Sequence, residues 1–172
     1  MDFIKTFEGD LAKDITFFFN LLEKNNIEFS NVIIEKESKE YGALKLIINN
    51  KSAIFRVAKT TPTKTGQFVT LWQRDKGCPI KPYDINDGID KFIILVKQDD
   101  KLGCFIFPTE VLAKQDILSN NSTLGKNPSG KRAIRVYAPW DSTQNKQAVK
   151  TQKWQSQYFF NIDNKLFPNS QF

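Results

Sequence analysis

Phe55-Arg56-Val57-Ala58-Lys59-Thr60-Thr61-Pro62-Thr63-Lys64-Thr65-Gly66-Gln67-Phe68-Val69-Thr70-Leu71-Trp72-Gln73-Arg74 is the most informative segment of the chain. Its first half reads as a buried strand that carries Arg56 and delivers Lys59 at its end. A turn of Thr, Pro, Lys and Gly follows, then an apolar run ending on Arg74. Strand-end cations beside hydroxyls and turn N–H groups form a trap for an anion. The segment from Gly66 to Arg74 fits two periods. A helix would group Phe68, Leu71 and Trp72, whereas a strand would group Phe68, Thr70 and Trp72.

Upstream, Ile4, Phe7, Leu11, Ile15, Phe18 and Leu22 recur at steps of three and four. That spacing predicts an amphipathic helix over roughly residues 4 to 24, stopped at Asn25-Asn26. Asn31 to Glu37 predicts a first strand. Ala43–Ile48 and Ser52–Ala58 flank Asn49-Asn50-Lys51 as a hairpin. Downstream, residues 75 to 90 read as an irregular loop rich in Pro, Gly and Asp. Phe92–Lys97 and Gly103–Phe107 form a second hairpin. Thr109 is a candidate cap for a short helix, residues 119 to 131 form a polar loop, and Ala133–Tyr137 is another strand. Gln144 to Phe160 reads as a C-terminal helix. The reading is one domain over residues 1–160 with a tail at 161–172. One mixed sheet with helices on its faces is the economical arrangement.

The composition excludes several kinds of chemistry. No His occurs among the 172 residues, which removes Ser-His-Asp and Cys-His catalysis. Cys78 and Cys104, 26 positions apart, lack the spacing and company of a zinc site. The longest apolar runs are strand-length, and Met1–Lys5 shows no signal-peptide pattern, so the cytoplasm is expected and no membrane partner. The net charge is +6, and it is segregated. Arg56, Lys59, Lys64, Arg74, Lys76 and Lys81 face only Asp75 within residues 56 to 81. Lys126, Lys131, Arg132, Arg135, Lys146, Lys150 and Lys153 face only Asp141 within residues 126 to 153. Such segregation points to a basic face for a phosphate or polyanion.

The first hairpin invites comparison with metal-dependent nucleases. These place an acid before one strand and Glu-x-Lys on the next, so that two carboxylates hold a divalent cation. Glu40 occupies the first position and Lys59 the last, but Val57 stands where the second carboxylate belongs. Glu40 and Lys59 are therefore the candidate catalytic pair of a degenerate site, with magnesium or manganese as the cation to test. A salt bridge from Arg56 to Glu35, Glu37 or Glu40 is the structural alternative for that arginine. Lys131, Arg132 and Arg135, followed by Trp140, combine cations with an aromatic as nucleic-acid contacts do.

Glu40-Tyr41-Gly42-Ala43, the block Phe55–Val69, Gly103–Pro108, Gly130–Tyr137 and Thr151–Gln155 together resemble the MepB family, small bacterial proteins without an assigned activity. The resemblance implies a three-layer α/β/α sandwich with a mixed sheet, of the restriction-endonuclease-like type. It favours a helix over residues 65 to 74, since those folds place one directly after the Lys-bearing strand. The expected function is anion or nucleic-acid binding. Arg56, Lys64, Gln67, Lys131, Arg132 and Arg135 would be ligand contacts beside Glu40 and Lys59. The alternative is an enzyme or sensor for a small phosphorylated or carboxylated ligand, oriented by Gln67 and Tyr41.

Overall fold

The fold comes from a computed structural model that describes residues 1–120 and 129–162. Its centre is a six-stranded mixed sheet built from β1 (Phe29–Ile34), β2 (Leu44–Ile48), β3 (Lys51–Val57), β8 (Lys91–Gln98), β9 (Lys101–Pro108) and β11 (Phe159–Asn161), in that order. Every pairing is antiparallel except β3 with β8. Both expected hairpins are present. Asn49 and Asn50 each adopt positive φ, as a two-residue turn between right-twisted strands requires.

Alternation along the strands gives the sheet two apolar faces. Leu44, Leu46, Phe55, Val57, Ile93, Leu95 and Ile106 face α1 (Gly9–Lys24), whose Ile15, Phe18, Phe19 and Leu22 are fully buried on them. The predicted helix over 4–24 is thus confined to α1. Glu8 is extended and Gly9 sits at φ +60°, so Asp2–Thr6 forms a separate 3-10 turn.

The opposite face carries Ile54, Phe92, Ile94, Val96, Phe105 and Phe107. Parallel β3 and β8 need a crossover, which is usually a helix. Here it consists of strands: β4 (Lys59–Thr61), β5 (Lys64–Thr70), and the short ribbon β6 (Trp72–Gln73) with β7 (Lys81–Pro82). The helix expected over residues 65 to 74 is therefore replaced by a strand. Gln67, Val69 and Leu71 point inward and are buried, whereas Phe68, Thr70 and Trp72 are half-exposed, which is the period of two. β5 pairs with β4 on one side and β10 (Ala133–Val136) on the other. This small sheet covers the second face together with α2 (Thr109–Lys114) and α3 (Lys146–Gln155). The layer opposite α1 is accordingly part sheet and part helix.

The C-terminal helix is shorter than its expected span of 144–160. After Gln155 a 3-10 turn leads into β11, and Ile162 is buried. Gly103 makes that edge possible, because a Cβ there would collide with the Phe159 ring. Thr109 opens α2 but does not cap it; its hydroxyl donates to the Ile89 carbonyl. Residues 121–128 of the expected polar loop and 163–172 of the expected tail lie outside the described residues. No described helix is long and apolar enough to cross a membrane.

Candidate anion-binding site

Residues 35 to 41 run as a strap between the two sheets. At one end the Tyr41 ring lies 6.3 Å from Phe68 of β5, in the middle the Thr70 hydroxyl donates to Ser38 Oγ, and Arg74 pairs with Glu37 at 2.9 Å. The strap divides the chemistry of the second face into two parts.

The first part is a rung across the small sheet. Phe68 stands opposite Lys59 on β4 and opposite Arg135 on β10. Cross-strand partners share a face, so two cations flank one ring on the outer surface. Lys59 Nζ sits 4.5 Å from the centroid of the Tyr41 ring, a cation–π distance. Burial, with the Glu40 charge adding to it, raises the Tyr41 phenol above its ordinary pKa. Arg135 donates to the Gly66 carbonyl at 2.9 Å and approaches those of Lys64 and Thr65 at 3.4 Å. The two basic segments of the sequence therefore meet at this rung. Gly66 itself is at φ +77°, and a Cβ there would lie 2.6 Å from Tyr137 and 2.7 Å from the Val136 carbonyl.

The rung opens into a cleft of about 340 Å³ between β10 and α3. Lys131 and Arg135 enter it from the strand side and Lys150 from the helix, with Gln147, Thr151 and Trp154 between them, and among the described residues no carboxylate lines it. α3 is started by Asn145, whose Oδ1 accepts from the Ala148 N–H at 2.8 Å. Gln155 then fixes the helix to the free edge of β10, accepting from Tyr137 N at 2.8 Å and donating to Arg135 O at 3.1 Å.

The second part is a buried charge cluster. Arg56 projects from β3 onto the second face with only 1% of its side chain exposed, and Nη2 meets Glu35 Oε2 at 2.5 Å. Tyr83 Oη accepts from Arg56 at 3.2 Å and donates to Glu35 at 3.3 Å, while Nη1 donates to the Phe55 carbonyl. Desolvation raises the Tyr83 phenol far above its usual pKa, which keeps it a donor. Glu35 N donates to Ala43 O, so β1 continues alongside Ala43. The small Ala43 side chain, fully buried, leaves Glu35 and Arg56 room to meet across it.

The candidate residues thus separate. Lys59 and Arg135 share the rung, Lys131 and Arg135 share the cleft, and Lys64 and Arg132 are exposed nearby. Arg56 lies in the core on Glu35. Gln67 is also structural in its bonding: Nε2 donates to Thr60 Oγ1 at 2.9 Å and Lys97 O at 2.6 Å, and Oε1 accepts from Lys97 N at 3.2 Å. Glu40 is exposed in the 3-10 turn Lys39–Tyr41. Val57 packs its methyls in the core beneath α1, on the sheet face away from Arg56. Glu40, residue 57 and Lys59 do not assemble a two-carboxylate cage, and no three metal-ligating side chains cluster among the described residues. In the sequence Lys150 is only one charge of the basic segment 126–153 and not a candidate contact, although Gln147, Lys150, Thr151 and Trp154 follow helical spacing. Sequence reasoning missed Tyr83, which sits in an aperiodic loop with no signal to find it.

These features define a mixed α/β domain that presents a cationic, aromatic-lined face on its smaller sheet. The chain belongs to the MepB-like family, whose profile matches residues 35–161. A crystal structure of MepB is similar at 35% sequence identity and a TM-score of 0.74, covering 89% of this chain and 98% of that one. A search of curated proteins finds no match.

Proposed function

We propose that this protein binds nucleic acid across the outer face of the small sheet. The observation that carries the reading is the Lys59–Phe68–Arg135 rung opening into a cleft that adds Lys131 and Lys150 and that no carboxylate lines among the described residues. Phosphates are held by cations, and interleaved rings suit bases or sugars. Lys64 and Arg132 extend the surface at its margins. The mixed sheet with α1 against one face supports a restriction-endonuclease-like ancestry. Val57 and the isolated Glu40 favour binding over metal-dependent cleavage.

Fluorescence anisotropy with labelled single- and double-stranded DNA over a salt series tests this. Four cations in contact predict a slope of about −3 to −4 in log affinity against log salt, at ~0.7 to 0.9 per phosphate. Lys131→Ala with Lys150→Ala is expected to reduce the slope by about 2. Binding is expected both with and without magnesium or manganese. No saturable binding at low salt would sink the proposal.

A further inference from the structure

The second face of the large sheet is not fully covered. Ile33 and Lys45 are cross-strand partners and so share a face, yet Ile33 is 60% exposed. In front of them lies a cleft of about 540 Å³, closed on its far side by Trp72, Arg74 and Lys76. That volume is typical of sites for small organic ligands.

We propose that this cleft binds a small ligand combining a flat ring with a carboxylate or phosphate. Its apolar surfaces are Ile33 and the half-exposed Trp72. The two carboxylates that line it among the described residues are already neutralised, Glu35 by Arg56 at 2.5 Å and Glu37 by Arg74 at 2.9 Å. Lys36 and Lys76, both exposed, have no ion-pair partner among the described residues. The cleft therefore offers a ring platform rimmed by uncompensated positive charge. Arg74 holds the platform, its guanidinium 5.9 Å from the Trp72 centroid and bonded to both Glu37 and the Cys78 carbonyl. A ring without charge would waste the lysines, and a bare anion would leave Trp72 and Ile33 wet. Recognition thus requires both parts in one molecule.

This inference stands apart from the nucleic-acid surface, which lies at the other end of the strap. Calorimetric titration with adenosine monophosphate and with benzoate separates a phosphate from a carboxylate ligand; adenosine and inorganic phosphate are the controls. At least one of the two acids is expected to bind, and more than tenfold tighter than either control. Trp72→Ala should weaken that binding at least tenfold. The surface pair Lys36→Glu/Lys76→Glu, chosen because neither side chain supports the fold, should do the same. Lys131→Ala/Lys150→Ala should leave it unchanged while weakening DNA binding. Binding of neither acid, or affinity within twofold of the parent in the Lys36/Lys76 variant, overturns the proposal.

Discussion

Replacing Glu35 by Gln isolates the charge that holds Arg56 in the core. The arginine is 1% exposed, and its Nε has no hydrogen-bond partner among the described residues. Its compensation comes from one carboxylate at 2.5 Å, itself 17% exposed. At an effective dielectric near 20, opposite charges about 4 Å apart interact by about 4 kcal/mol. Removing one member of a buried pair costs ~3–5 kcal/mol, because the other charge stays behind. Contact of Glu35 with water trims this, so the expected loss is about 3 kcal/mol. Arg56→Met is expected to cost less, ~1–2 kcal/mol, since Glu35 can turn to water and to Lys45, 3.5 Å away. The double variant should therefore be less destabilised than the sum of the two, with a coupling of at least ~1.5 kcal/mol. Urea titrations of the four proteins, with equal m-values, measure this cycle. A Glu35→Gln loss below about 1 kcal/mol, or simple additivity, would refute the assignment of Glu35 as the counter-ion of a buried arginine.

Gly66→Ala places a Cβ against the Tyr137 ring and the Val136 carbonyl at positive φ, and should cost roughly 2–4 kcal/mol in denaturant unfolding. A thiol assay should find Cys78 fast and Cys104 silent until unfolding, because burial raises the Cys104 pKa far above the reactive range and leaves little thiolate. Asp141, half-buried while its carboxylate accepts from Ala138 N at 2.7 Å, has its pKa raised by desolvation above the ordinary 3.8. A raised acid contributes stability that is fully present below the unfolded pKa and is lost as pH rises through the folded one. Asp141→Asn should therefore flatten the stability profile just above pH ~4, read by thermal melts at stepped pH.

Much of the frame was legible where a single period governed. The α1 stripe, both hairpins and the Ala133–Val136 strand follow from alternation or three-four spacing. Residues 65 to 74 stay open on periodicity, because Phe68 and Trp72 satisfy both periods, and the helix expected there came from the family resemblance alone. What settled them was pairing with β10, some 65 residues on, and no local window carries that information. The site was legible as residue types and not as an arrangement. Of the expected contacts, Lys59, Lys131 and Arg135 lie on one surface, whereas Arg56, close to Lys59 in sequence, lies in the core. The break at Ala58 sends Arg56 into one sheet and Lys59 into another. Of Glu35, Glu37 and Glu40, Glu35 is the carboxylate that meets Arg56, across the small Ala43.

Gln67 imitates a peptide group. Its amide offers a carbonyl to the Lys97 N–H and an N–H to the Lys97 carbonyl, so a side chain of the small sheet completes the backbone bonding of β8. The Lys97 amide proton is therefore shielded from solvent by a contact that exists only while the two sheets are docked. Its exchange rate in heavy water becomes a gauge of how often the small sheet lifts away, separate from global unfolding. A ligand that straddles Lys59 and Arg135 stabilises the docked state and should slow that one proton without touching the neighbouring core amides.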